Sequence, residues 1–210
     1  VREARELVKD LMPPNAFIYW SDFLFHITLA WGAFVFCFRS EPFSLGQWIS
    51  FFVAVFAFFR SAIFIHELTH LRKGTFQAFR VVWNVLCGFP LMIPSFLYEG
   101  VHNDHHNIHL YGTDGDGEYF PFVKEGRQKI ILFVLVSFVL PVFFFFRAVV
   151  LTPLSYCHKG VRSFVLERAS SFSIDLSYKR ALSSLKSVPM WQTQEAVACL
   201  YGWGYVWLIG

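Results

Sequence analysis

Two tight groups of histidines are the residues of this sequence best suited to metal chemistry. They hold five of the eight histidines, in the strings HELTH and HNDHH: His66, His70, His102, His105 and His106. Residues three or four apart share one face of a helix, so each group can present imidazoles to a single point. Imidazole binds Zn, Fe, Cu and Ni, and residue type alone therefore does not name the metal. Three or four ligands saturate one zinc ion, so five candidates in two groups favour two metal ions.

The composition indicates that these histidines belong to a membrane protein. Of the 210 residues, 55% are hydrophobic, 20% are aromatic and only 16% are charged, which is unusual for a soluble domain of this length. The net charge of +3 is modest, and the basic residues stand between apolar runs without interleaved aromatics, so nucleic acid is not an expected partner. The four cysteines are far apart and form no C-x-x-C pair, so we interpret them as packing residues.

Two apolar runs in the first third of the chain are suited to crossing a bilayer, which requires about 20 apolar residues per helix. They cover residues 16–38 and 47–65, and the short connection between them predicts an antiparallel hairpin. The HELTH string follows the second run and precedes a basic cluster that contains Arg72 and Arg80. By the positive-inside rule, this end of the hairpin is predicted to face the cytoplasm.

The later apolar runs are less regular. Residues 81–98 are interrupted by one glycine and two prolines, which predicts a re-entrant segment of broken half-helices. In residues 130–151 we predict a bend at Pro141, because the loop that follows is too basic for the outer side of a single crossing. Arg147 is expected to snorkel toward lipid headgroups. The predicted fold class is an all-α integral membrane protein with a spanning hairpin, a broken re-entrant segment and a cytoplasmic face that carries both histidine groups.

The acidic residues near the histidines have more than one candidate role. HELTH matches H-E-x-x-H, the zinc metalloprotease motif in which the glutamate activates water. That alternative requires a third ligand and leaves HNDHH without a role. If the protein is not a protease, Glu67 and Glu99 are predicted to accept hydrogen bonds from imidazole N–H groups. The string DGDGE, residues 114–118, is predicted to form a turn, because it lacks the third acidic ligand and the distant glutamate of a calcium loop.

In this membrane setting, H-x-x-x-H followed by H-x-x-H-H resembles the membrane fatty acid desaturase family, the histidine-box superfamily of desaturases and hydroxylases. The resemblance begins at residue 16 and is strongest across HELTH, WNVLCGFPLMIPSFLYEGVHNDHH and YGTDGDGEYFP, which are similar to bacterial members. It implies a single desaturase-like domain over residues 1–210, in a bacterial inner membrane. It also implies a non-haem diiron centre to which the five box histidines would be ligands.

The reaction implied by this resemblance uses O₂ and two electrons to remove hydrogens from an unactivated alkyl chain. Lipid acyl-chain desaturation is the predicted activity, and hydroxylases and ketolases of lipids, carotenoids and alkanes share the same boxes. A separate carrier such as a ferredoxin or cytochrome b5 would supply the electrons. The family also has a third H-x-x-H-H box, whereas His158 is the one histidine here beyond residue 109. We therefore expect a chain that is truncated at its C-terminus and inactive alone.

Overall fold

The computed structural model of the protein describes residues 14–72, 74–119, 127–175, 177–181 and 188–209, and within these ranges every regular element is helical. Contacts within the chain define two compact units, Val1–Trp83 and Asn84–Gly210. That residues 1–210 form one domain stays a prediction.

The first unit is built on a helical hairpin. Helix α1 covers Ala16–Arg39 and helix α2 covers Leu45–His70, and the two helices pack against each other. Asn15 caps α1 by accepting the backbone N–H of Phe17 at 2.9 Å, and Ser44 caps α2. Both predicted spans are therefore confirmed as helices, and α2 extends beyond the predicted run to include HELTH.

The surface of the hairpin is suited to lipid. Large apolar side chains stay exposed along both helices, with Phe25 at 65% and Phe56 at 69% exposure. By length and composition, α1, α2 and residues Ile130–Cys157 are three candidate membrane spans among the described residues. The predicted class of all-helical membrane protein is confirmed; the predicted cytoplasmic orientation stays a prediction.

Short helix α3, Gln77–Trp83, completes the first unit by packing on the hairpin. The fully buried ring of Phe79 lies 5.4 Å, between centroids, from the rings of both Phe23 and Phe64. Trp83 donates its indole N–H to the carbonyl of Ser61 at 2.8 Å. These contacts fix the part of α2 that leads into HELTH.

The second unit begins with the broken segment that the sequence predicts. A π-helical turn, Asn84–Gly88, is followed by irregular turns and then by helix α4, Phe96–His105. The side chain of Asn84 accepts the Ser95 backbone N–H at 2.9 Å and donates to the Ser95 hydroxyl at 3.0 Å. The Gln194 side chain accepts the Phe96 N–H at 3.3 Å, which satisfies one free donor at the start of α4.

The rest of the second unit is a set of helices packed around the apolar cluster of Met92, Phe96, Leu97, Phe144, Ala148 and Trp191. These are α5 (Arg127–Phe146), α6 (Thr152–Cys157), α7 (Lys159–Arg168) and α8 (Val188–Ile209), with a π-helical stretch at Arg147–Leu151 between α5 and α6. Helix α5 continues through Pro141. The helical hydrogen-bond pattern changes beyond this residue, at the π-helical stretch. The predicted bend at Pro141 stays a prediction.

Arg147 corrects one prediction from the sequence. Its side chain is 1% exposed and does not snorkel. The guanidinium pairs with Glu195 at 2.7 Å and donates to the Ala169 carbonyl and the Ser170 hydroxyl, while Arg162 also pairs with Glu195 at 2.9 Å. A buried charge is costly unless it is paired, and this network supplies the partners that headgroups were expected to supply.

Candidate metal centre

His66 and His70 lie on one face at the end of α2, in the first unit. Their Nε2 atoms are 3.3 Å apart. At a metal–nitrogen distance of about 2.1 Å, two imidazoles at right angles would place their nitrogens about 3 Å apart. The i, i+4 spacing on the helix therefore brings the two nitrogens to a separation at which both can bind one ion.

Glu67 holds the first histidine of this pair. Its Oε1 lies 3.2 Å from Nδ1 of His66, and its Oε2 accepts the hydroxyl of Tyr19 at 2.8 Å. Imidazoles that ligate metals commonly donate their second ring N–H to a carboxylate, which fixes the tautomer. The predicted contact between Glu67 and an imidazole is thus confirmed. In a zinc protease this carboxylate would activate water, but here both of its oxygens already accept hydrogen bonds from His66 and Tyr19.

Arg80 stabilises the last turn of α2, which carries His66 and His70. Its guanidinium donates to the Leu68 carbonyl at 2.6 Å, within the last turn of α2, where helical carbonyls lack partners. Burial lowers the pKa of Arg80 below its usual value. The basic residue that suggested orientation in the membrane therefore also stabilises the helix end.

The second histidine group lies on α4, in the second unit. Nε2 of His102 and Nε2 of His106 are 3.0 Å apart, the separation expected of two neighbouring ligands on one ion. His102 is 3% exposed, whereas His105 is partly exposed. The ring centroids of His105 and His106 are 5.6 Å apart.

Two carboxylates from the DGDGE turn hold this group. Glu118 Oε1 lies 2.9 Å from Nδ1 of His102, and both oxygens of Asp116 lie 3.0 Å from Nδ1 of His105. With Nδ1 held in this way, Nε2 is the nitrogen left to bind a metal. The turn was predicted correctly, but its role in holding imidazoles was not. The acceptor role of Glu99 stays a prediction.

The charge of Asp116 is maintained although its side chain is fully buried. Burial acts to raise its pKa, but hydrogen bonds from the Gly112 N–H, the His105 imidazole and the Glu118 N–H outweigh burial and hold that pKa below its usual value. Asp116 is therefore an ionised acceptor for His105.

Tyr98 lies between the histidine group and an apolar cavity. Its ring stacks on His102 with centroids 5.0 Å apart, and its hydroxyl lies 3.1 Å from both Glu118 Oε2 and Nδ1 of His102. Burial, together with the nearby charge of Glu118, raises the pKa of Tyr98, so the hydroxyl stays protonated and can donate. Sequence reasoning missed Tyr98, although its position four residues before His102 on a helix was an available signal.

The cavity has a volume of about 570 Å³ and is mainly apolar. Tyr98 and Glu118 belong to its wall, so the cavity borders the groups that hold His102. The cavity is also lined by α5, which contributes Ser137 and Pro141, and by residues 172–174. Apolar cavities with a few polar groups at one end are typical sites for hydrophobic ligands.

Taken together, the fold and these side chains define a helical membrane protein with imidazole pairs arranged for metal ligation. Residues 42–210 match the family model described as fatty acid desaturase. Because the match covers most of the chain, the chain belongs to the fatty acid desaturase family, whose members are diiron oxidoreductases that include desaturases and hydroxylases.

One relative is a ceramide hydroxylase of Caulobacter vibrioides (strain NA1000 / CB15N), which is 35% identical to this chain over 206 residues. The alignment covers 98% of this chain and 58% of the relative, so the chain spans a little over half of that protein's length. No solved structure matches the chain.

Proposed function

We propose that this chain is part of a non-haem diiron, O₂-dependent enzyme that oxidises the acyl chain of a membrane lipid. The ligands assigned to iron are the five box histidines His66, His70, His102, His105 and His106. The observation that carries this assignment is the second group, where two Nε2 atoms are 3.0 Å apart while carboxylates hold the Nδ1 atoms of two imidazoles. A chance cluster of surface histidines has no reason to combine both features.

When bound, the iron pair would supply the oxidising power needed to break an unactivated C–H bond. The residues of the chain then have separate duties. Asp116 and Glu118 keep the Nδ1 proton on His105 and His102, so that each Nε2 lone pair is available. Tyr98 donates to Glu118 and lines the apolar cavity. A lipid chain in that cavity would lie next to Tyr98, whose ring stacks on His102.

Hydroxylation of a ceramide-class lipid is the reaction best supported by the comparisons. The relative named ceramide hydroxylase aligns with almost the whole chain, through both histidine boxes. Desaturation is the second candidate, because the family model is described as a fatty acid desaturase. Both reactions begin with hydrogen abstraction from an alkyl chain, so the same histidines serve either.

The remaining parts of the proposal concern partners and location. We infer an integral membrane enzyme with both histidine groups on the cytoplasmic side, where a soluble electron carrier such as a ferredoxin or a cytochrome b5 could reach them. A bacterial inner membrane agrees with the organism of the relative.

The test is lipid analysis of bacteria that produce ceramides and express the whole protein. Hydroxylation adds one oxygen atom to the substrate, labelled when the culture receives ¹⁸O₂, whereas desaturation removes two hydrogen atoms. The His102→Ala, His106→Ala double variant should form neither product. One zinc and no iron in the purified protein would contradict the proposal and favour the metalloprotease alternative.

A further inference from the structure

We propose that residues 171–175 and 177–181, here called the strap, are a positioning device for the second histidine group, and that Tyr178 and Arg180 are its positioning residues. This inference rests on the proposed function, because it assigns the strap a role in metal binding. It concerns the second unit alone.

The strap is bonded to the helix that carries the histidines. Phe172 donates its backbone N–H to the Leu97 carbonyl of α4 at 2.8 Å. Nearer the C-terminal end of α4, the Tyr178 hydroxyl donates to Asp104 Oδ2 at 2.8 Å. Asp104 is the residue directly before His105, so this bond holds the turn of helix that carries the ligands.

The same strap is bonded to the loop that carries the carboxylates. The carbonyl of Gly117 accepts the backbone N–H groups of Ile174 at 2.8 Å and of Asp175 at 3.0 Å. Gly117 lies between Asp116 and Glu118, the two residues that hold the imidazoles. The strap therefore ties together the two elements whose separation sets the carboxylate–imidazole distances.

Arg180 fixes the strap against the start of α4. Its guanidinium is buried and donates to the carbonyls of Leu97 at 3.2 Å and Ser170 at 2.8 Å. A Cβ atom on Gly100 would lie 2.6 Å from Nη1 of Arg180, so the guanidinium occupies space that only a glycine in α4 leaves open. The guanidinium also lies 4.6 Å from the ring of Trp191 on α8.

Tyr178 fills the equivalent space at Gly117. A Cβ on that glycine would lie 3.0 Å from Cγ of Tyr178 and 2.8 Å from Cγ1 of Val101 on α4. The ring of Tyr178 thus packs against the loop at Gly117, while its hydroxyl donates a hydrogen bond to Asp104 on α4. A substitution at Tyr178 should therefore lower the affinity for metal more than it lowers the stability of the fold.

The experiment measures Fe²⁺ affinity of the purified whole protein by competition with a graded chelator, with thermal unfolding of the metal-free protein measured beside it. Tyr178→Phe keeps the ring packed against Gly117 and removes the hydrogen bond to Asp104. It should weaken iron binding about tenfold, as loss of a supporting contact typically does. Arg180→Lys should weaken it as well. The matched control is Tyr201→Phe, whose hydroxyl donates to the Val85 carbonyl away from α4 and should change nothing.

A mutant cycle separates positioning from general damage. If Tyr178 acts through Asp104, Tyr178→Phe should cost nothing further in a chain that already carries Asp104→Ala. Equal iron affinity of the wild type, Tyr178→Phe and Arg180→Lys proteins would overturn the inference while leaving the proposed function standing. A wild-type protein that binds no iron would instead overturn the proposed function.

Discussion

Both oxygens of the Asp116 carboxylate lie 3.0 Å from Nδ1 of His105. The carboxylate is fully buried and also accepts the backbone N–H groups of Gly112 and Glu118. One acidic side chain thus shapes its own turn and orients an imidazole on a neighbouring helix.

Replacement of this carboxylate should weaken metal binding. We expect Asp116→Asn to reduce iron affinity about ten- to a hundredfold, because the amide is a poorer acceptor for the His105 N–H. Chelator competition on the purified whole protein measures the change. Asp114→Asn, at an exposed position in the same turn, is the control and should bind iron as the wild type does. Equal affinity of the two variants would show that Asp116 does not support a ligand.

Glu67 distinguishes the oxygenase from the protease. In a zinc protease, Glu67→Gln would remove the group that activates water and abolish peptide cleavage with the metal retained. In the oxygenase proposed here, the same change should lower metal affinity about ten- to a hundredfold, because Glu67 contacts Nδ1 of His66. Metal content and lipid products measured on one preparation decide between them. Undiminished iron binding in this variant would count against the carboxylate's supporting role.

Gly117 should not tolerate a side chain. A Cβ atom there would lie 2.8 Å from Val101 and 3.0 Å from Tyr178, so we expect Gly117→Ala to lower the free energy of unfolding by about 1–3 kcal/mol. The control is Gly204→Ala on α8, where a Cβ would meet nothing within 4 Å and stability should be unchanged or slightly higher. Unfolding of both variants in detergent measures the difference. Equal stability of the two would indicate that the loop moves freely away from α4.

Breaking the buried Arg147–Glu195 pair should be strongly destabilising. Glu195→Ala would leave a buried guanidinium without its carboxylate, and we expect a loss of about 3–5 kcal/mol in the free energy of unfolding. Glu41→Ala, exposed in the turn between α1 and α2, is the control and should have little effect. The same detergent unfolding experiment applies. A small loss at Glu195 would mean that Arg147 finds another partner or reaches solvent.

Filling the apolar cavity should reduce turnover without changing the iron content. We expect Ser137→Trp to fill part of the 570 Å³ space and reduce lipid oxidation about tenfold or more, because the acyl chain can no longer reach its position. Leu135→Trp, on the same helix but outside the cavity wall, should oxidise lipid normally. Product formation and iron content are measured together. Normal turnover by the Ser137 variant would place the substrate elsewhere.

The sequence by itself determined the parts of this protein that depend on local spacing. Apolar runs of bilayer length predicted α1 and α2, and glycine and proline predicted the break before α4. The i, i+4 spacing within HELTH and HNDHH was enough to predict that His66 neighbours His70 and that His102 neighbours His106, because residues four apart share one face of a helix.

Tertiary structure decided the contacts between residues far apart in the chain. Asp116 and Glu118 were readable only as a turn, since nothing local shows that the turn folds back onto α4. The sequence predicts a snorkelling Arg147 because its partner, Glu195, is 48 residues away in the chain. Side-chain pairing across a fold depends on how helices pack, and local periodicity carries no information about the partner that packing supplies.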